Sequence, residues 1–287
     1  MPGEEIRVKR IGLVVHAGRQ DASAYAAQAA AYLTAQGVRV LAEADMADKL
    51  GAEALSFARE AEAPEAILSL GGDGTLLRGA QYALRYDAAL MGINLGRVGF
   101  LSEAEPDDLT EVLSRLLSDR YEVETRSVLE IRKVDGESWL GLNDVVISRG
   151  GYARLITIDA LVDGEEAGRY VADGLIVATP TGSTGYSLSA GGPIVSPDVD
   201  CMMITPICAH SLQHRPCVVP GGAQILLRLD SGVEQQATLQ VDGQNRALLT
   251  GAAQVLIRRA ARPIRLIRLK NPHFFQLVRD KLTEWSR

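Results

Sequence analysis

The sequence predicts an α/β N-terminal domain on a parallel sheet, then an all-β, sandwich-like C-terminal domain whose tail returns to the first. Three observations carry this. From residue 10 to 120, short apolar runs alternate with helical stretches, the pattern of strands covered on both faces. From Tyr121 to about Leu269 the runs become short and alternating, broken by Asp-Gly turns, with no long helix. Helical spacing resumes over Asn271–Arg287 through Phe274, Phe275, Leu277, Val278 and Leu282. The expected domains are 1–120, 121–270 and a returning tail, 271–287.

In chain order, Ile11-Gly12-Leu13-Val14-Val15-His16 reads as a buried parallel strand. Asp21 or Ser23 can cap an alanine-rich helix that runs to Gln36 and ends at Gly37. Val38–Leu41 is a second strand and about Ala52–Ala61 a helical region. Ile67–Leu70 is a third strand, Leu76–Leu84 a helix and Ala89–Asn94 a fourth strand. Pro106–Ser118 is amphipathic and helical. In the second half, Val128–Val134, Leu155–Val162 and Ala223–Leu229 are strands, each followed by a turn that begins with Asp.

Gly71-Gly72-Asp73-Gly74-Thr75 joins the third strand to its helix. Glycines there admit a ligand directly onto main-chain N–H groups, and a helix N-terminus favours phosphate. Asp73 is the unusual member. A carboxylate beside phosphate is repelled unless a metal lies between them or the carboxylate handles a proton, a combination that points to phosphoryl transfer. Only Lys9, Lys49, Lys133, Lys270 and Lys281 are lysine, and no Gly-Lys pair occurs. A Walker-type loop is therefore excluded, and His16-Ala17-Gly18-Arg19 carries no Rossmann fingerprint. Taken alone, the glycine loop is equally a tight turn.

Across 287 residues, 47% are hydrophobic and 23% charged, ordinary for a globular protein, and the net charge of −6 argues against a nucleic-acid surface. No apolar run approaches a membrane span and Met1–Glu5 has no signal pattern, so the expected location is cytoplasmic. Cys201, Cys208 and Cys217 lack metal-ligand spacing. His210 and His214 are four apart without a third ligand, which speaks against zinc.

The second half holds the remaining candidates. Asn143-Asp144 stands at the mouth of a strand, where an amide beside a carboxylate can accept from both hydroxyls of a ribose, although an isolated Asn-Asp is more commonly a turn or strand-edge pair. Asp173–Pro193 runs from a buried strand into a stretch of hydroxyls and glycines around Tyr186, which suits binding close to the backbone. Thr181 occupies the first glycine position of G-x-S-x-G, so Ser183 is no hydrolase nucleophile. Asp242-Gly243-Gln244 is equally accounted for by a hairpin turn alone, and Gln244 by itself counts for little.

Together these stretches resemble the NAD kinase family, bacterial type, across nearly the whole chain. The resemblance rests on Gly71–Thr75, Gly92–Gly96 with Gly99–Leu101, Asn143-Asp144, Asp173–Pro193, His210-Ser211-Leu212 with Arg215-Pro216, and Gln244. It implies transfer of a phosphoryl group from ATP, with a divalent metal such as Mg²⁺, to the 2′-hydroxyl of the adenosine ribose of NAD. Asp73 would accept the hydroxyl proton. Gly74, Asn143, Asp144, Arg154, Asp173, Thr184, Gly185, Tyr186, Ser187, Leu188, Ser189 and Gln244 would contact NAD. Gly71, Gly72, Gly74, Thr75 and Arg78 would form the phosphate-donor loop. The resemblance further implies a homodimer or homotetramer, with no nucleic-acid or membrane partner. The chain departs from the usual pattern at Asp144, where Glu is usual, at Gly185, where alanine is usual, and at Val171, where some relatives carry a basic residue.

Overall fold

Strand β1 (Arg10–Val15) pairs in parallel with β2 (Arg39–Ala42) on one side and β4 (Ala66–Leu70) on the other. This is a computed structural model, described over residues 8–16, 18–50, 53–54, 63–95, 99–101, 109–134, 136–150, 155–211, 213–230, 236–269 and 274–285. By internal contacts the chain divides into two units, Met1–Thr125 with Ile264–Arg287, and Arg126–Pro263. Those limits lie near, but not at, the 120 and 270 read from sequence.

In the first unit, α1 (Gln20–Ala35) follows β1, and α2 (Ala44–Leu50) and β3 (Glu53–Ala54) follow β2. Of the region read as helical from about Ala52 to Ala61, Glu53–Ala54 is strand and a helix precedes it at Ala44–Leu50; 51–52 and 55–62 lie outside the described residues. α3 (Asp73–Tyr86) follows β4, and β5 (Ala89–Ile93), α4 (Leu109–Leu117) and β6 (Glu122–Arg126) complete the N-terminal part. Alternation on the strands sorts the faces. Ile11, Leu13, Leu68, Leu70, Met91 and Ile93 share a core with Ala26 and Leu33 of α1 and Leu113 of α4. Ile67 and Leu90 point the other way, to Gly79 of α3. All five β4 side chains are buried, which explains why the run is apolar except for Ser69 rather than alternating. The cap of α1 is Arg19, without a side-chain capping bond; Asp21 sits inside the first turn and pairs with Arg19.

The second unit holds two six-stranded antiparallel sheets. Its strands are β7 (Leu129–Lys133), β8 (Ser138–Gly141), β9 (Asp144–Arg149), β10 (Ile156–Val162), β11 (Glu165–Ala172) and β12 (Gly174–Ala178), then β13 (Cys201–Ile207), β14 (Cys217–Pro220), β15 (Ile225–Leu229), β16 (Gln236–Val241), β17 (Gln244–Thr250) and β18 (Gln254–Arg259). One sheet runs β11-β10-β15-β18-β7-β8 and the other β14-β13-β12-β9-β16-β17. Ile131, Ile158, Leu227 and Ile257 of the first join Val145, Leu175, Ile204 and Leu239 of the second in one core, the sandwich expected from alternating strands. Asp163-Gly164 and Asp242-Gly243 turn with positive φ at both positions, as two-residue hairpin loops require.

The chain then returns. β19 (Ile264–Arg268) pairs in parallel with β5, giving the first unit a sheet ordered β3-β2-β1-β4-β5-β19-β6. After α5 (Tyr186–Ser189) in the second unit, the last helix is α6 (Phe274–Trp285).

Candidate active site

Because β2 and β4 flank β1, the first unit changes winding direction between β1 and β4. In open α/β sheets ligands bind outside the carboxyl ends of the strands at such a point. Two segments meet there. The His16 N–H donates to the Leu70 carbonyl at 2.9 Å, and a Cβ on Gly71 would lie 3.1 Å from His16 Cβ and 2.3 Å from Thr75 Oγ1. Gly71 is thus closed in by packing, and Thr75 is buried. Gly72 and Gly74 instead have open space where a Cβ would be. The N–H groups of Thr75 and Leu76 donate back to the Gly72 carbonyl. Those of Asp73 and Gly74, ahead of them in the first turn, have no helical carbonyl to meet and suit an anion.

Asp73 is held from the other side. The Phe100 N–H donates to its Oδ2 at 2.9 Å and the Leu101 N–H to its Oδ1 at 3.4 Å. Gly99 lies so close that a Cβ there would stand 1.9 Å from Asp73 Oδ1. The Leu101 carbonyl accepts in turn from Arg268 Nη1 at 3.1 Å. Arg268, on β19, is almost fully buried and paired with Glu124. A carboxylate at a helix N-terminus is thus fixed by a segment that the last strand anchors.

In the second unit, Asn143 and Asp144 sit where β8 gives way to β9. The Asp242 carboxylate gathers that turn, accepting the N–H of Leu142 at 2.8 Å and of Asn143 at 2.7 Å, with that of Asp144 at 3.2 Å. Thr179, just past β12, holds it from the opposite side. Its Oγ1 donates to the Leu142 carbonyl at 2.6 Å, its N–H to the Asn143 carbonyl at 2.9 Å, and the Gly182 N–H donates to its Oγ1 at 3.2 Å. A Cβ on Gly182 would meet the Asn143 carbonyl oxygen at 2.1 Å. One on Gly185 would lie 3.7 Å from Asn143 Nδ2 and 3.9 Å from Asp144 Oδ2, so both side chains converge on Gly185. Asn143 Oδ1 is buried with no hydrogen-bond partner, an acceptor left open for a ligand. Burial, and then the neighbouring Asp242 charge, push the Asp144 carboxyl up to about 7. Burial raises Asp242 as well, against its backbone donors and Arg246.

The other expected residues fall into groups. Thr181–Thr184 form a 3-10 turn leading into α5 rather than an irregular loop. Tyr186 and Ser189 are exposed and Thr184 and Leu188 half-buried, while Ser187 is fully buried with its hydroxyl 2.9 Å from that of Thr205. Gln244 opens β17 directly after the Asp242-Gly243 turn. Asp173 pairs with Arg149 at 2.8 Å at the other end of β12 from Thr179, about 20 Å away along extended chain. The Arg78 guanidinium engages Glu43 (Nη2 to Oε2 3.0 Å) and the Val15 carbonyl. Arg154 lies outside the described residues. Sequence read Asp242 only as a turn residue, Thr179 only as part of the Asp173–Pro193 stretch and Arg268 not at all, since the bonds they make to the 142–144 backbone and the Leu101 carbonyl carry no local signal. Among the described residues, no three His, Cys, Asp or Glu side chains gather as a metal site.

Two family models match, the ATP-NAD kinase N-terminal domain over residues 11–121 and the C-terminal domain over 142–269. The chain belongs to the ATP-NAD kinase family. It is an enzyme of the kinase class. It is 41% identical over 282 residues to an NAD kinase of Moorella thermoacetica, covering 96% of this chain and 90% of that one. Over 223 residues it is 44% identical to an NAD kinase of Gemmatimonas aurantiaca, covering 76% and 77%. Among solved structures it is similar to yeast NADH kinase complexed with NADH (TM-score 0.87, 25% identity, 97% of this chain and 88% of that one). It is also similar to an Archaeoglobus fulgidus NAD kinase in complex with ATP (TM-score 0.74, 28% identity, 96% and 98%). The matches to the Moorella thermoacetica protein and to both solved structures extend over both halves of the chain.

Proposed function

We propose that the chain phosphorylates NAD, moving the γ-phosphoryl group of ATP to the 2′-hydroxyl of the adenosine ribose to give NADP and ADP. The observation that carries this reading is Asp73, a carboxylate fixed by the Phe100 and Leu101 N–H groups at the start of α3, between open glycines. A pure phosphate-binding loop gains nothing from a negative charge there. A base for an incoming hydroxyl does.

Asn143 and Asp144 hold the acceptor ribose, and the backbone of Gly182 to Gly185 forms the adjoining wall. Thr184, Tyr186, Leu188, Ser189 and Gln244 line the dinucleotide, with Ser187 supporting α5 from beneath. Asp173 serves the nicotinamide half of NAD by resemblance, and Arg154 is carried over as an NAD contact on the resemblance alone. Gly72, Asp73 and Gly74 present N–H groups to the donor phosphates. Gly71 and Thr75 shape that loop by packing, and Arg78 supports it through Glu43 and the Val15 carbonyl. Asp73 orients the 2′-hydroxyl and takes its proton late, which suits a loose transition state that needs little prior deprotonation. A divalent ion would neutralise phosphate charge; it is proposed to arrive with ATP, and no residue of the chain is assigned to it. A cytoplasmic homodimer or homotetramer is proposed on the family resemblance, and none of the described helices is long and apolar enough to cross a membrane.

The test is incubation of purified protein with NAD, ATP and Mg²⁺, reading NADP with an NADP-specific dehydrogenase. NADP formation that Asp73→Asn reduces by orders of magnitude, with NAD still bound, is the expected result. Near-normal turnover in that variant would remove the base assignment, and NAD binding without any NADP in the wild type would remove the kinase reading.

A further inference from the structure

We propose that Asp242 is a positioning residue for the acceptor: its carboxylate folds the Leu142–Asp144 backbone into the turn that presents Asn143 and Asp144 to the ribose. The inference rests on the acceptor role given to that pair. Three consecutive backbone donors converge on one side chain from about 100 residues away in sequence, at 2.8, 2.7 and 3.2 Å. The Asp242 N–H also donates to the Asp144 carbonyl at 3.0 Å, so the two segments are bonded in both directions. A neutral side chain could not satisfy all three donors equally. An amide would turn its own N–H₂ toward at least one of them.

The arrangement brings a second carboxylate against Asp144, and this is its functional consequence. Sequence separates the two by 98 residues, yet β9 and β16 lie side by side with Val145 opposite Val241. From β17, Arg246 faces Asp242 and favours its ionised form. On the side of the 3-10 turn, Arg126 donates to Thr181 Oγ1 at 3.3 Å, and Thr179 and Thr184 are neutral. Among the described residues no cation is a cause acting on Asp144, whose carboxyl is raised by burial and by Asp242. The ionised Asp144 accepts from ribose hydroxyls, so Asp242 sets both the shape of the cradle and the pH at which it binds.

The test compares wild type with Asp242→Asn, measuring kcat and KM for NAD and for ATP separately from pH 5.5 to 9, with NAD affinity by calorimetry without ATP. The wild type is expected to gain kcat/KM for NAD as pH rises through about 7. In Asp242→Asn, KM for NAD should rise by roughly tenfold or more and KM for ATP stay within about twofold. The midpoint of the pH profile should move to lower pH, because the repelling charge is gone. A folded variant with wild-type KM for NAD, or an unmoved midpoint, overturns the proposal even if its melting temperature falls. Should the variant not fold, hydrogen exchange on the wild type decides: saturating NAD should slow exchange at the Leu142, Asn143 and Asp144 amides, and unchanged rates there overturn it. A wild type that binds NAD but makes no NADP would sink the kinase reading alone, since calorimetry and exchange still report on Asp242.

Discussion

Arg268 reaches from the last strand of the first unit to donate a 3.1 Å hydrogen bond to the Leu101 carbonyl, one peptide from the N–H groups that fix Asp73. A residue late in the chain thus steadies a carboxylate near its beginning. Its guanidinium is almost wholly buried and its partner Glu124 is about one-third exposed.

Arg268→Ala should therefore cost stability and turnover together. Removing one member of a fully buried pair costs about 3–5 kcal/mol; water can reach the stranded Glu124, so about 2–3 kcal/mol is expected here. Chemical denaturation and kcat on the same preparation check this. Lost stability with unchanged kcat would separate Arg268 from Asp73.

Gly99→Ala tests the same carboxylate from its other side. The new methyl would fall 1.9 Å from Asp73 Oδ1, so either Asp73 or the 99–101 backbone must move. A displacement of that order costs roughly 10²-fold in turnover. Stability should change much less, since Gly99 is half-buried. Activity within threefold of wild type would count against a tightly fixed base.

Two glycines of the second unit should behave oppositely. Gly182→Ala drives a Cβ to 2.1 Å from the Asn143 carbonyl oxygen, a backbone atom that cannot swing aside. A loss of about 2–3 kcal/mol and a higher KM for NAD are expected. Gly185→Ala meets nothing nearer than 3.4 Å at a φ of −96°. It should stay within about 1 kcal/mol of wild type and retain activity. Equal effects from the two would contradict the packing around Asn143.

Stability should fall as pH rises from about 5 to 8. The Asp144 carboxyl, at about 7 in the folded chain, binds its proton more tightly than in the unfolded chain. Its contribution is complete below the ordinary carboxylate value and is lost as pH rises through about 7, on the order of 2–4 kcal/mol in all. Burial of Asp242 and Glu43 acts in the same direction. Asp144→Asn should flatten the curve and melt higher than wild type at pH 8. Parallel melting curves against pH would refute the coupling.

The alternation of apolar runs and helices, the Asp-Gly turns and the Gly71–Thr75 and Asp173–Pro193 stretches were legible because each is written in consecutive residues. Periodicity, turn chemistry and glycine spacing are local properties, so the chain alone determined an α/β unit, a β-sandwich and the family's motifs. The unit that Ile264–Arg268 joins could not be decided from sequence, and the 121–270 reading placed it with the sandwich, because alternating residues suit a sandwich strand as well as a strand beside β5. Nor could the partners of Asp73 and Asn143. The Leu101–Arg268 bond and the Asp242 contacts to the 142–144 backbone join positions about 100 residues apart or more. Hydrogen bonds over such separations leave no periodic trace, and only the tertiary structure decided that a turn aspartate gathers the 142–144 backbone and that a strand arginine reaches the Leu101 carbonyl.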